Sequence, residues 1–199
     1  MGLEIAYLPG QTPINEEEKE GLLIKTISTR EELDEFEQLN IQSAIKWTKG
    51  RKFKTEEILS EDFVNNLHRK MFYQDWSWAG KFRKVNKNLG VESHQISVEL
   101  RKLLDDCKYW VKHSAYPPDE IAIRFKHRIV AIHCYPNGNG RHSRLIGDVI
   151  IENIFQLSIF SWGSEANLVQ GNEARKQYLI AIKEADKGNL DLLMKFARL

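Results

Sequence analysis

The sequence predicts a mainly α-helical fold interrupted by one small β element. Apolar residues recur at helical spacing in several separate stripes, and a single stretch, Trp76–Gly90, breaks that period. A glycine-rich turn also lies between two such stripes. Asn-Gly between apolar runs is ordinarily a hairpin signal. Here, however, Ile121, Phe125, Ile129 and Ile132 precede the turn at helical spacing, and Leu145, Ile146, Val149, Ile150 and Ile154 follow it the same way. Arg141 to Arg144 is an unbroken polar run that a half-buried strand would not carry. Helix, glycine-rich loop, helix is the reading that fits.

In chain order, residues up to about 27 contain Pro9, Gly10 and Pro13 and read as an extended lead-in broken by an acidic segment, Glu16 to Glu20. Ser28 or Thr29 caps the first long helix, with Glu31 and Glu32 favourably placed in its first turn. Its stripe is Leu33, Phe36, Leu39 or Asn40, Ala44 and Trp47, and it ends before Gly50. Thr55 to Ser60 is a polar connection or short helical turn. Ser60 opens the next helix, which places Phe63, Leu67 and Met71 on one side. In Trp76–Gly90, Phe82, Val85 and Leu89 keep no helical period, and a short hairpin turning near Asn86–Asn88 is expected. Val98, Leu100, Leu103, Leu104, Cys107 and Val111 define a helix over 97–113. Pro117-Pro118 separates it from one that begins near Asp119 and reaches His133. The helix after the turn runs from Arg141 to about Phe155, and two final helices are split by Gly188-Asn189.

Composition narrows the function classes. The chain of 199 residues, 42% hydrophobic, suits one domain with a short N-terminal appendage. A formal net charge of +1 provides no general field toward nucleic acid or anionic lipid. Two cysteines, Cys107 and Cys134, make no disulfide framework, and no secretory leader is visible. No stretch approaches the roughly 20 apolar residues that span a bilayer. A folded cytoplasmic protein without a membrane segment is expected.

The chemistry concentrates between His133 and Arg144. Glycines let backbone N–H groups approach an anion, and a helix starting right after them adds its positive end. Arg141 and Arg144, three apart, share a helix face and can grip phosphate as forks. His133 titrates near neutrality and suits a base that deprotonates an incoming hydroxyl. Cys134 as nucleophile is disfavoured, because neighbours at a helix end point apart. A zinc site of His133, Cys134 and His142 lacks the usual paired spacings. Lys81, Arg83, Lys84 and Lys87 read as a solvated face; beside Trp76 and Trp78 they also outline a nucleic-acid patch, which the near-neutral chain makes the weaker reading.

The stretch from His133 to Arg144 resembles the signature of the Fic/Doc family, H-x-F-x-(D/E)-G-N-G-R-x-x-R. His133, Gly138, Asn139, Gly140, Arg141 and Arg144 match; Tyr135 stands where Phe is usual, and Asn137 replaces the acidic residue. His68–Phe72 with Trp76–Arg83 is similar to an upstream segment of that family, and Tyr178–Asn189 to its closing helix and turn. The likeness runs from about Phe63 to the C-terminus, and the Thr12-Pro13 opening looks closest to the subgroup called mobile mystery protein B.

The resemblance implies a Fic-type helical bundle over 56–199, preceded by a regulatory extension and helix over 1–55. It implies transfer of AMP from ATP to a Ser, Thr or Tyr hydroxyl of a target protein, with a Doc-like phosphotransferase or a weakly catalytic nucleotide-binding module as the alternative. His133, Asn139 and Arg141 are the implied catalytic residues. Asn137, Gly138, Asn139, Gly140, Arg141 and Arg144 would bind nucleotide, with Arg144 contacting phosphate or bracing the loop. An acidic residue at position 137 would hold Mg²⁺; asparagine offers one neutral oxygen, a poorer ligand for a hard cation. The Trp76–Gly90 segment corresponds to a flap, with Lys84, Val85, Asn86 and Lys87 at the edge that would pair with the target. Many members carry an inhibitory glutamate that pairs with the second signature arginine; the candidates here are Glu37 and Glu20. On family grounds a helix-turn-helix protein is the expected partner.

Overall fold

The computed structural model describes residues 13–163 and 173–199. The lead-in expected around Pro9 and Gly10 lies outside these residues. Helices dominate the described chain. They are α1 (Glu16–Lys19), α2 (Arg30–Lys49), α3 (Thr55–Ile58), α4 (Glu61–Phe72), α5 (Ile96–His113), α6 (Pro118–Ile132), α7 (Asn139–Asn153), α8 (Glu173–Asp186) and α9 (Asp191–Arg198).

Several of these ends follow directly from sequence. Thr29 accepts the Glu32 amide while Glu32 reaches back to the cap, and Ser60 accepts the Phe63 amide at the start of α4. Pro118 opens α6, where its missing N–H has no helical partner to lose. α6 packs along α7, flanked by α5, while α4 lies between α2 and α7, and α8 and α9 pair at the C-terminal end. Ile121, Phe125 and Ile129 of α6 and Ile146, Val149 and Ile150 of α7 are buried in one core with Leu67 and Met71 of α4 and Leu33 and Ala44 of α2. Burial of each large apolar side chain contributes about 1.5–3 kcal/mol, which fixes the α6–α7 hairpin that carries the loop between them. No described helix is long and apolar enough to cross a membrane.

Three expectations are corrected. The acidic segment after the lead-in is a short helix, α1, closed by a capping box between Asn15 and Glu18. Leu33 and Ala44 of the α2 stripe are buried as expected, and of the alternatives Leu39 and Asn40 it is Asn40 that lies inside; Phe36, 41% exposed, gives its place to Glu37. The hairpin expected in Trp76–Gly90 is an irregular loop with no strand. Beyond turns at Trp76–Ala79 and Trp78–Lys81, its backbone bonds the chain before α7, Arg83 N to the Cys134 carbonyl at 2.9 Å and Val91 N to that of Ile132 at 3.3 Å. The Arg83 guanidinium fills the loop, donating to the Val85 carbonyl (2.9 Å) and to that of Val91. The isolated β-bridge among the described residues joins Leu22 to Trp76.

Candidate active site

α6 ends at His133, which adopts the left-handed conformation (φ 59°), and α7 begins after Gly138 (φ 79°). Glycine is required at 138, because a Cβ there would lie 2.5 Å from Phe72 Cε2. Between the two ends the backbone is braced from within. The Asn139 side chain accepts the Tyr135 amide at 3.0 Å and donates to the Tyr135 carbonyl at 2.8 Å. The Tyr135 hydroxyl donates to Asn65 at 2.8 Å. Asn139 therefore holds the loop closed with both ends of its amide.

His68, which sequence reasoning left unassigned apart from its motif, supports the loop from below. It is fully buried and stacks on Tyr135 with ring centroids 3.7 Å apart. Its Nδ1 accepts the Gly80 amide at 3.0 Å, which makes Nε2 the protonated nitrogen, donating to the Asn137 carbonyl at 3.0 Å. Burial holds its pKa well below the usual histidine range, with the neighbouring His142 and Arg141 adding to the effect. A neutral, single-tautomer ring thus ties the flap segment to the loop. His142 is likewise buried, lowered to about 4, and bonded to the Val64 carbonyl at 3.0 Å.

His133 sits at the rim, 6% exposed. Burial lowers its pKa to about 4, and the positive Arg83 and Lys87 push the same way against a hydrogen bond to the Val130 backbone. It is therefore neutral at physiological pH, the state a general base requires. Arg83 Nε donates to the His133 carbonyl at 2.7 Å, and a Cβ on Gly90 (φ 93°) would collide with the His133 Cβ. The flap segment thus fixes the position of His133.

Beyond Gly138, the first amides of α7 have no partner within the helix, and nothing lies within 4 Å of where a Gly140 Cβ would stand. This helix start carries the positive end of α7. Asn137 turns its side-chain oxygen onto the Gly138 amide at 2.5 Å. Among the described residues no three His, Cys, Asp or Glu side chains converge to cage a metal ion. The donor set does not fit a resident Mg²⁺.

Arg141 is the signature arginine nearest the loop, and it is occupied. Its Nη1 donates to Glu37 Oε2 at 2.6 Å, and its guanidinium lies 4.9 Å from the Phe72 ring centre. Glu37 is 1% exposed and also accepts Trp76 Nε1 at 2.7 Å. Asn40, one turn on, donates to Asp75 at 2.6 Å. The other oxygen of Asp75 and that of Asn40 are buried without partners, so a proton on the carboxyl supplies a missing donor. Burial raises the Asp75 pKa to about 6, and the neighbouring Glu37 raises it further against the Asn40 bond and Arg141. Glu37 meets the first signature arginine, where the second was expected, and Glu20 is exposed at the end of α1. Arg144 instead points to the C-terminal helices, its guanidinium 5.6 Å from the Tyr178 ring centre.

The expected flap residues divide. Lys84 is exposed; the Asn86 side chain accepts the Ser93 amide at 2.7 Å, and Lys87 is buried in an ion pair with Glu18 while donating to the Pro13 carbonyl at 2.9 Å. With Trp76 and Arg83 also buried, the nucleic-acid patch is dismantled. Cys134 is buried and its thiol pushed up to about 12, which leaves it inert.

A buried neutral histidine, a glycine-bounded helix start and an arginine held by Glu37 thus meet where α6 gives way to α7. Residues 58–151 match the model of the Fic/DOC family, and the chain carries a domain of that family. The fold agrees with solved Fic structures. BepC, a VirB-translocated effector from Bartonella tribocorum with bound AMPPNP, is 15% identical, with a TM-score of 0.64 over 92% of this chain and 97% of that one. A Bartonella quintana Fic domain with bound ADP gives 15% and 0.63 over 87% and 86%. Fic-1 from C. elegans gives 20% and 0.61 over 80% of this chain, which spans 45% of that one.

Proposed function

We propose that this chain is a Fic-type protein adenylyltransferase held in check by its own α2. The open start of α7 between His133 and Arg141 carries the reading. A target hydroxyl oxygen attacks the α-phosphorus of ATP; the bond to the bridging oxygen breaks, and pyrophosphate leaves. Neutral His133 takes the hydroxyl proton. The first amides of α7, around Gly140, stabilise the charge that builds on the α-phosphate. Arg141 holds the leaving phosphates once it is released from Glu37. Residues 1–55 act as the regulatory segment and 56–199 as the transferase. Were Mg²⁺ to accompany the nucleotide, Asn137 would offer it one neutral oxygen, a poorer donor than a carboxylate. The Asn137 side chain, turned onto its own loop, also favours a weaker second reading, a nucleotide-binding module with slow chemistry. Two buried free thiols suit a reducing, cytoplasmic setting.

The test is transfer of α-labelled ATP by the full chain with bacterial lysate. Labelled protein is expected from Glu37→Gln and is expected to vanish in Glu37→Gln/His133→Ala. Measurable ATP binding without label in Glu37→Gln would overturn transfer, and label from γ- but not α-labelled ATP would replace it with phosphotransfer.

A further inference from the structure

Charge along this chain is segregated in two short runs. Residues 16–20 carry four glutamates and one lysine, and residues 81–87 carry three lysines, one arginine and no acid. The fold lays the first run on the second. Lys87 Nζ is paired with Glu18, both side chains largely out of water, and donates to the Pro13 carbonyl at 2.9 Å. Trp78 Nε1 donates to the Glu18 carbonyl at 3.0 Å. Further along, the Ser77 amide donates to the Gly21 carbonyl and the Leu23 amide to the Asp75 carbonyl, both at 2.9 Å, around the antiparallel bridge of Leu22 with Trp76.

Ile14 and Leu22 anchor this strap in the core, and between them only Glu18 is buried. Apolar side chains in place of the ion pair would hold the strap at least as well, because a desolvated pair seldom returns more than it loses on leaving water. Its charges serve the selectivity of the contact rather than its strength. The same loop reaches the base: Arg83 Nε donates to the His133 carbonyl at 2.7 Å. Beside His133 the loop thus offers a lysine for a carboxylate, an indole N–H for a carbonyl and a main-chain edge at residues 75–77. Polypeptide bearing an acidic side chain answers all three. A nucleic acid brings the charge but not the amides that the edge pairs with.

We propose that the surface of Trp78 and Lys87 is the docking site for an acidic segment of the target protein, and that residues 13–23 are its internal occupant. The target displaces the middle of the strap, sets its own carboxylate on Lys87 and brings a neighbouring hydroxyl toward His133. This inference rests on the transferase reading and adds the chemical class of its target. It is separate from the contact of α2, which bears on nucleotide through Arg141.

The test is binding of a fluorescent synthetic peptide copying residues 13–23 to the full chain, read by anisotropy. Glu18→Lys sets a like charge against Lys87 and should lift the strap, so the Trp78 indole N–H should exchange faster with solvent by NMR. That variant should bind the peptide about tenfold or more tightly than the wild type, whose site is filled. A peptide copy with Glu18→Gln should bind it about tenfold more weakly. Glu18→Lys/Lys87→Glu should close the strap again with the charges exchanged and bind no acidic peptide. Cooperative thermal unfolding shows that each variant is folded. A folded Glu18→Lys that keeps its Trp78 indole protected, or that binds no peptide, would overturn the proposal. Equal binding of the Glu18→Gln copy, or of a single-stranded oligonucleotide of matched charge, would do the same.

Labelling ties the surface to the target. In the Glu37→Gln background, excess peptide should suppress transfer to lysate proteins, and Lys87→Glu should lower transfer while ATP affinity holds. Transfer indifferent to both would overturn the docking role. A parent that labels nothing would overturn the transferase reading alone, because peptide binding is measured without transfer and decides the docking surface by itself.

Discussion

Replacing Glu37 with glutamine changes one charge at the junction between α2 and the signature. Its Oε2 accepts Arg141 Nη1 at 2.6 Å, its Oε1 accepts Trp76 Nε1 at 2.7 Å, and the side chain is 1% exposed. A charge-assisted bond so far out of water contributes about 1.5–3 kcal/mol net. If phosphate must take Arg141 from Glu37, that amount is subtracted from nucleotide binding. Glu37→Gln should therefore tighten ATP binding roughly tenfold to a hundredfold. Glutamine retains a neutral acceptor for Trp76 and relieves the repulsion between Glu37 and Asp75, which offsets part of the lost ion pair. Stability should then change by no more than about 1–2 kcal/mol. Glu37→Ala should cost more, because it leaves the buried Trp76 N–H without a partner.

Calorimetric titration with ATP, paired with thermal unfolding, measures both quantities. Arg141→Ala is the control: once the arginine is gone, Glu37→Gln should bring no further gain. Equal ATP affinity in the folded wild type and Glu37→Gln would refute the claim that this ion pair competes with nucleotide. A gain that persists without Arg141 would locate the competition elsewhere.

Asp75 gives a pH dependence with a defined sign. Its folded pKa of about 6 stands above the unfolded 3.8, so its contribution is present below about 4 and lost as pH rises through about 6. Asp75→Asn should flatten that part of the stability–pH curve. A difference curve with no slope between pH of about 4 and 6 would contradict the protonated pair. His133, lowered to about 4, should leave transfer in Glu37→Gln independent of its titration at neutral pH, with an acid limb near pH 4. A histidine limb near the ordinary value of about 6.5 would show that the ring is more solvated than its burial implies. Gly90→Ala meets both a positive φ of 93° and the His133 Cβ, so it should lower labelling more than ATP affinity. Unchanged labelling in that variant would show that the flap segment does not fix the base.

The parts of the fold legible in the sequence are those set by near neighbours. The box between Thr29 and Glu32, Ser60 at the start of α4, Pro118 at the start of α6 and the apolar stripes of α6 and α7 all follow from short-range rules. The helix–loop–helix and its glycines were legible for the same reason. What failed depended on distant partners. The α2 stripe places Phe36 and Leu39 or Asn40 inside, because apolar residues usually face inward; Leu33 and Ala44 are buried as expected, but the middle of the buried face carries Glu37 and Asn40. Their partners, Arg141 and Asp75, lie 104 and 35 residues away, and hydrophobic periodicity cannot register a face buried against charges. The hairpin failed likewise: Arg83 looks like a solvated cation in sequence but takes the carbonyls of Val85, Val91 and His133. A guanidinium that satisfies those carbonyls removes the need for a strand ladder. In both cases the local rule broke at a residue that touches or braces the signature. A polar residue inside α2 costs stability unless something opposite requires it, and here Arg141 does. The misread stripe of α2 is thus itself the trace of the contact between that helix and the candidate active site.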